Sequence, residues 1–167
     1  RLGIPVEKKL VLGVAGVWTE KKGLYDFFQL ANLLGDSFQV LLVGLSEKQK
    51  RALPGNVRGI TRTESLQELA ELYTVADVYV NASREETQGL TTVEALACGT
   101  PVVTYNETAV PEVVDASCGI SVPYGVENLC SAVLELRCAR EACIVRARRY
   151  DKFECFKPYL ALYGQGE

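Results

Sequence analysis

Charged side chains with possible roles in chemistry occupy a few short segments of this 167-residue sequence. Lys21 and Lys22 are adjacent, while Glu86 and Glu94 stand with seven residues between them, on either side of Gly89. Two carboxylates in this arrangement are a candidate acid–base pair, and a cluster of ammonium groups suits a phosphate. Taken alone, the same residues are equally compatible with solvated loop lysines and loop acids.

Several common chemistries are excluded because the residues that they need are missing. The sequence contains no His, which removes the Ser-His-Asp and Cys-His nucleophilic schemes. None of its six Cys residues forms a C-x-x-C pair, so a zinc site has few ligands. "GVAG" is not the dinucleotide fingerprint, and a Walker motif is absent. Acid–base chemistry must therefore use carboxylates, Lys, Tyr or the substrate itself.

Composition indicates one globular domain rather than a nucleic-acid-binding or membrane-spanning protein. The net charge is −3 and the hydrophobic content is 48%. No apolar run approaches the roughly 20 residues that a spanning helix needs. The sequence lacks an initiator Met, so we expect a piece of a longer protein. The Cys residues are interpreted as reduced and mostly buried thiols of a cytoplasmic protein.

Hydrophobic runs alternate with helical periods along nearly the whole chain. Short Val- and Leu-rich runs predict strands over residues 10–15, 38–44, 56–60, 77–83, 101–106 and 118–123. Helical periods fill residues 24–34, 64–76, 91–98 and 126–136, and they continue to about Tyr163. This alternation predicts an α/β fold with a Rossmann-like, doubly wound parallel sheet of about six strands.

Ligands of such sheets bind beyond the carboxyl ends of the strands, which selects five loops. The loops cover residues 16–23, 44–46, 61–62, 83–91 and 106–110. They contain the charged residues Lys21, Lys22, Arg62 and Glu86. A positive cluster that faces helix amino termini would suit a diphosphate. The loops therefore predict an anion site at one edge of the sheet.

Two groups of charged residues also have purely structural interpretations. Thr91 and Glu94 have the spacing of a capping box, as do Ser65 and Glu68. Residues 137–152 contain six basic and two acidic side chains. A solvated helix face explains this stretch, and a basic patch on a membrane surface is the alternative.

Five segments in order resemble the carboxyl-terminal, donor-binding half of a GT-B glycosyltransferase of the large retaining family four. "EETQGLTTVEALACGTPVVTY" is similar to the family hallmark E-G-F-G-L-x-x-x-E-A-x-A-x-G-x-P-V-V, and "GVWTEKKG" is similar to its first loop, G-R-x-x-x-x-K-G. The remaining segments are "NVRGI…LAELYTVADVYVNAS", "AVPEVV" and "CGISVPYG". Together these segments cover nearly the whole chain.

The resemblance implies roles for individual residues. Lys22 corresponds to the lysine that contacts the donor diphosphate, and Glu86 to the first acid of the E-x7-E pair, near the donor sugar; these two are the candidate catalytic residues. Glu94 corresponds to the second acid, which binds the ribose hydroxyls. The resemblance also implies further binding residues. They are Gly16 and Val17 in the first loop, where the backbone approaches the diphosphate at Gly16, then Gly89, Leu90 and Thr91 at a helix start, and Thr61 and Arg62 near the base.

Two positions depart from the family pattern. The Arg that usually follows Gly16 is Val17 here, which leaves Lys21 as a candidate for its phosphate contact. The usual Gly-Phe after Glu86 is Thr87-Gln88, so Gln88 becomes a candidate binding residue with a changed sugar pocket around it.

The resemblance also implies partners. The donor would be a UDP-, GDP- or ADP-sugar, with no obligatory metal because Lys22 would neutralise the diphosphate. An amino-terminal acceptor domain, absent from this chain, would complete the enzyme. Residues 151–167 would form a terminal helix that crosses to that domain. Some of its aromatic residues would then be more exposed than core aromatic residues normally are, among Phe153, Phe156, Tyr159 and Tyr163.

Two alternatives in function and one in location stay open. A non-catalytic nucleotide-binding or regulatory α/β domain would share this fold. A sugar-nucleotide epimerase would also share it, although such enzymes usually use a catalytic His. The expected location is the cytoplasm, with peripheral membrane contact of the full-length protein as a possibility.

Overall fold

A computed structural model describes residues 4–87 and 89–163 of the chain. Within them lie six strands, β1 Lys9–Val14, β2 Phe38–Val43, β3 Val57–Ile60, β4 Val78–Asn81, β5 Val102–Tyr105 and β6 Gly119–Val122. The helices are α1 Leu24–Leu34, α2 Glu47–Arg51, α3 Leu66–Val75, α4 Leu90–Ala97, α5 Val110–Val113, α6 Val126–Glu135, α7 Arg140–Ala147 and α8 Lys152–Tyr163. Short 3-10 turns follow α1 and α7.

All six strands are parallel and lie in the order β3-β2-β1-β4-β5-β6. The predicted doubly wound, Rossmann-like sheet is therefore confirmed, including its number of strands. The order reverses between β1 and β4, whose carboxyl ends lie side by side. In this type of sheet the crevice at that reversal is where ligands bind.

The sheet is covered on both faces because successive residues of each strand point to opposite sides. Val11 packs into a core formed with α1 and α6, whereas Leu10 and Leu12 pack into a second core formed with α3, α4 and α7. Residues 10–14 of β1 are all apolar for this reason. These two cores hold the strand ends in fixed positions, and therefore also the loops that follow the strands.

Helix α8 differs from the other helices of more than two turns because none of its side chains is buried. Its four aromatic side chains have exposed fractions between 58% and 85%: Phe153, Phe156, Tyr159 and Tyr163. The prediction that some of these aromatic residues stay exposed is confirmed, and residues 164–167 of the predicted helix lie outside the described residues. In the described part of the chain, no helix has the length and apolar character required to cross a membrane.

All six Cys residues are free thiols. Cys118, Cys130 and Cys143 are buried, Cys98 and Cys138 are half-buried, and Cys155 is exposed. The interpretation as mostly buried thiols therefore holds for five of the six, wholly or in part. Burial raises the pKa of the Cys143 thiol to about 12, with Cys118 and Cys138 adding to the effect.

Candidate functional site

Two loops meet beyond the carboxyl ends of β1 and β4. The backbone N–H of Arg84 donates to the carbonyl oxygen of Lys21 across 2.9 Å. Gly23 lies so close to Ala82 that a Cβ at position 23 would collide with the Ala82 carbonyl oxygen. Gly23 also has a φ of +75°, which favours glycine, and helix α1 begins directly after it. The chain therefore brings Lys21 and Lys22 against the loop that carries Glu86.

Two lysine–glutamate ion pairs join these loops. The Lys22 Nζ lies 2.6 Å from the Glu86 Oε1, and both side chains are mostly shielded from water. The Lys21 Nζ lies 2.8 Å from the Glu85 Oε1, but these side chains are about two-thirds exposed. The structure thus brings Lys22 and Glu86 together, whereas Lys21 pairs with an acid that the sequence analysis did not single out.

A cavity of about 340 Å³, here called the first cavity, opens at the meeting point of these loops. Its walls contain most of the residues that were predicted to bind a ligand: Gly16, Val17, Lys22, Glu86, Gly89, Leu90 and Thr91. Trp18 and Phe27 form an apolar part of the wall. Lys22 is the cation among the described residues of this lining, so a bound anion would be placed beside its ammonium group.

Helix α4 begins at the first cavity. Its N-cap is Gly89, whose φ of +67° and ψ of +44° lie in the left-handed region, and no side chain caps the helix. The free N–H groups of this turn carry part of the positive end of the helix dipole. The hydroxyl of Tyr79, a residue of β4, donates to the Thr91 Oγ1 across 2.8 Å and so holds the first turn of α4 against the sheet.

Glu94 is held by a neighbouring helix rather than by its own. The predicted capping box with Thr91 is wrong, because α4 begins at Leu90, two residues earlier than that motif requires, and Gly89 is the cap. The Glu94 Oε2 instead accepts a hydrogen bond of 3.0 Å from the Tyr73 hydroxyl of α3. The Ser65–Glu68 box is only half formed: Ser65 accepts from the Glu68 N–H, but the Glu68 carboxylate binds the Glu64 N–H.

A second polar network supports the loop behind Glu86. The Tyr105 hydroxyl donates to the Asp26 Oδ2 at 2.9 Å, and Arg84 lies 3.7 Å from the other Asp26 oxygen. The Arg84 guanidinium also stacks on Tyr124 at 4.5 Å from the ring centre. Asp26 is 5% exposed, and its charge is therefore compensated inside the protein. Arg84 is thereby fixed two residues before Glu86.

The residues predicted to lie near the nucleotide base are in a different cavity. Thr61 and Arg62 line a groove of about 850 Å³ between α3 and residues 4–8, here called the second cavity. Glu94 lines neither cavity as described, and Gln88 lies outside the described residues. The structure therefore brings Gly16, Lys22 and Glu86 to the first cavity. The predicted binding residues Lys21, Thr61, Arg62 and Glu94 do not line it.

Some residues of this region were not identified from the sequence. Four of them form hydrogen bonds or ion pairs with partners that are between 12 and 79 positions away in the chain: Tyr73, Tyr79, Asp26 and Arg84. No spacing rule connects such pairs before the fold is known. Trp18 is the exception, since it lies inside the predicted loop at residues 16–23 and could have been included.

Buried phenols at this site are permanent hydrogen-bond donors. Burial raises the pKa of Tyr73 far above its ordinary value, and the neighbouring Tyr79 and Glu94 add to the effect. Burial likewise raises the pKa of Tyr79. Among residues 4–87 and 89–163, no group of three or more His, Cys, Asp or Glu side chains is arranged to hold a metal ion.

Comparison with known proteins assigns the chain to a family. The family model for glycosyl transferases group 1 matches residues 8–138, which is more than half of the chain. The chain therefore belongs to the glycosyl transferase group 1 family. The match covers the strands and loops that form the first cavity.

Curated relatives of this chain are longer proteins. Alpha-monoglucosyldiacylglycerol synthase from Streptococcus pneumoniae is 28% identical over 144 residues, which are 81% of this chain and 33% of that protein. O-antigen chain mannosyltransferase B from Escherichia coli is 36% identical over 69 residues, which are 41% of this chain and 18% of that protein. The chain spans about a third or less of the length of these relatives.

Solved structures show the same fold at low sequence identity. Sucrose-phosphate synthase from Thermosynechococcus elongatus has a TM-score of 0.81 and 24% identity, and the match covers 98% of this chain and 47% of that one. A pneumococcal O-GlcNAc transferase in complex with UDP and GlcNAc has a TM-score of 0.73 and 15% identity, with 98% and 37% covered. These likenesses support the Rossmann-like fold.

Proposed function

We propose that this chain is the donor-binding domain of a retaining GT-B glycosyltransferase of family four, and that its first cavity holds the diphosphate and sugar of a nucleotide sugar. Membership of the glycosyl transferase group 1 family supports glycosyl transfer as the activity of the whole protein. A structural neighbour, the pneumococcal O-GlcNAc transferase, was solved with UDP and GlcNAc, which supports a nucleotide-linked sugar as the donor.

One observation carries the proposal. The Lys22 ammonium, the Glu86 carboxylate and the uncapped first turn of α4 line one cavity at the strand-order reversal of the sheet. The cation and the positive end of the helix suit a diphosphate, and the carboxylate suits the hydroxyls of a sugar. These groups lie on the edge of the sheet where such folds bind ligands.

The same groups suit the chemistry of glycosyl transfer. When the bond between the sugar and the diphosphate breaks, negative charge grows on the departing diphosphate. Lys22 and the α4 amides stabilise that charge, and they are already positioned before the reaction. Glu86 would orient the sugar, and Lys22 would do at the diphosphate what a metal ion does in other enzymes. The proposal therefore includes no obligatory metal.

The direct test is calorimetric titration of the chain with UDP, GDP and ADP, in buffer with EDTA and in buffer with Mg²⁺. We expect the chain to bind one nucleoside diphosphate with an affinity that EDTA changes by less than twofold. Glu94→Ala should weaken this binding by about tenfold or more, because the resemblance assigns Glu94 to the ribose hydroxyls. A requirement for Mg²⁺ would contradict the proposal that binding needs no metal ion. No binding of any of the three would refute the proposal.

The same titration separates the proposal from a non-catalytic nucleotide-binding domain. A donor domain is expected to bind the nucleotide sugar and the nucleoside diphosphate at one site, so each should displace the other. A regulatory domain that recognises only the nucleotide would not distinguish the sugar-linked form, and Glu86→Gln would leave its affinity unchanged. Loss of sugar-dependent affinity in Glu86→Gln therefore favours the donor domain.

We further propose that the chain acts together with an acceptor domain. It spans a third of its S. pneumoniae relative, and α8 presents exposed aromatic side chains that suit a protein surface. By itself the chain is expected to bind a nucleoside diphosphate but to transfer no sugar. Measurable transfer from a nucleotide sugar to an acceptor by residues 1–167 alone would contradict this division of roles.

A further inference from the structure

We propose that Tyr73 is a positioning residue for Glu94, which it holds in the orientation needed to accept the ribose hydroxyls of the donor. This inference rests on the proposed function, because it concerns Glu94, the carboxylate that the family resemblance assigns to the ribose hydroxyls of the donor. Tyr73 does not line the first cavity and would act only through Glu94.

Packing around the Tyr73 ring and a hydrogen bond to the Tyr73 backbone hold this residue in place. Its ring is 1% exposed and packs edge-on against Tyr79, with the ring centres 5.6 Å apart. The backbone carbonyl oxygen of Tyr73 accepts a hydrogen bond from the Thr100 hydroxyl, which ties this end of α3 to the segment before β5. The phenolic hydroxyl therefore has a defined position, and at that position it donates to the Glu94 Oε2 at 3.0 Å.

Glu94, in contrast, has little support from its own helix. The residue is exposed, and its carboxylate does not fold back to cap α4. A glutamate side chain in such a position loses rotamer freedom when it binds a ligand, which weakens the interaction. The bond from Tyr73 restricts this freedom in advance.

The geometry leaves one carboxylate oxygen for the ligand. Tyr73 occupies Oε2, and no described residue donates a hydrogen bond to the Glu94 Oε1. Because a buried phenol stays protonated, its hydrogen bond always runs towards the carboxylate, so it places Glu94 without competing for the hydroxyl protons of a ribose. A buried acceptor at position 73 could not do this.

Tyr79 makes a parallel contact with different consequences. Its hydroxyl binds Thr91, which lines the first cavity at the start of α4. The two phenols thus contact side chains one helical turn apart on α4, with Tyr73 at the carboxylate and Tyr79 at the first turn. Only Tyr73 is expected to affect recognition of the ribose.

The test compares ribose recognition rather than affinity alone. The tightest of UDP, GDP and ADP is titrated together with its 2′,3′-dideoxy analogue, and the ratio of the two affinities measures the contribution of the ribose hydroxyls. In Tyr73→Phe we expect this ratio to fall about fivefold to tenfold, since hydrogen bonds to charged groups are the strong ones. Affinity for inorganic pyrophosphate should be unchanged.

Tyr150→Phe is the matched control. It also removes one phenolic hydrogen bond, from the Tyr150 hydroxyl to the Glu112 carbonyl oxygen at 2.8 Å, but it lies outside both cavities. This variant should keep the wild-type ratio. In a Glu94→Ala background, Tyr73→Phe should cause no further fall, because the carboxylate that it positions is gone.

The outcomes separate the two proposals. An unchanged ratio in Tyr73→Phe, or an equal loss of affinity for the ribose and dideoxy forms, would overturn the role of Tyr73 while leaving the proposed function intact. An equal fall in Tyr150→Phe would also overturn it, since the effect would then be structural. Failure of the wild-type chain to bind any nucleoside diphosphate would overturn both.

Discussion

Lys22 and Lys21 are neighbours in the chain, but the structure gives them different surroundings. Lys22 lies on the wall of the first cavity and is paired with Glu86, whereas Lys21 projects to the exposed Glu85. An exposed pair contributes little to stability or binding. Lys21 does not line the first cavity, so Lys22 is the side chain expected to carry the phosphate interaction.

Separate Ala substitutions test this difference. Lys22→Ala is expected to weaken binding of the nucleoside diphosphate by about 30-fold, the scale of a hydrogen bond to a charged group. Lys21→Ala should weaken it clearly less, by about threefold or below. Calorimetric titration measures both, and a larger effect at Lys21 would show that Lys21 takes over the contact of the missing Arg.

The Cys residues offer a prediction about reactivity at single positions. Cys143 is fully buried and burial raises its thiol pKa to about 12, so only a minute fraction is thiolate at pH 8. Cys155 lies exposed on α8. With a maleimide at pH 8 and in native buffer, Cys155 should react first while Cys143 remains unlabelled.

Mass spectrometry of the labelled peptides checks this order. Cys155→Ser is the control, which should remove the fast phase of labelling without changing the slow one. Raising the pH towards 9 should leave Cys143 protected, because the raised pKa keeps its thiol protonated and the core excludes the reagent. Rapid labelling of Cys143 would contradict its place in the second core.

At the scale of single elements, the β1–α1 loop depends on Gly23. Its φ of +75° is unfavourable for other residues, and a Cβ would also collide with the Ala82 carbonyl oxygen of the neighbouring loop. Gly89 has a similar φ of +67°, but a Cβ there would make only ordinary contacts. The two positions therefore separate backbone strain from steric collision.

Ala substitutions at these two glycines should differ in stability. Gly89→Ala is expected to reduce the free energy of unfolding by about 1–2 kcal/mol, the cost of the left-handed conformation alone. Gly23→Ala should cost about 3 kcal/mol or more, because the two loops must also move apart. Chemical denaturation measures both, and equal losses would show that the loops are not in tight contact.

The elements also show which parts of the fold could be predicted from sequence. Helix α1 was predicted with its observed bounds because its apolar face repeats clearly over eleven residues. Helices α2 and α5, of five and four residues, were missed since such short segments carry too little periodicity.

The candidate site shows a similar division. The loops with Lys22 and Glu86 followed from the rule on strand ends and from local motifs, but Glu94 was assigned the wrong partner. The capping-box pattern with Thr91 is local, whereas the observed bond comes from Tyr73 in another helix, and only the packing of α3 against α4 brings them together. Long-range hydrogen bonds of this kind cannot be predicted from spacing.

At the scale of the whole molecule, α8 is the helix whose formation is not explained by packing against the rest of the described chain. It has twelve residues with Pro158 inside it, and none of its side chains is buried. A helix of that length is marginal by itself, and an internal proline destabilises it further. Its exposed aromatic residues therefore suit a surface that packs against another body, such as the proposed acceptor domain.

Removing this helix tests that view of the molecule. A chain that ends at Asp151 should retain a free energy of unfolding within about 1 kcal/mol of the full chain, because little apolar area is buried by α8. It should also bind less of a dye that detects exposed apolar surface. Leu129→Ala is the control, since Leu129 is fully buried in the first core and its truncation should cost about 2–5 kcal/mol. If the shortened chain lost as much stability as this control, α8 would be part of the fold itself rather than a surface for a partner.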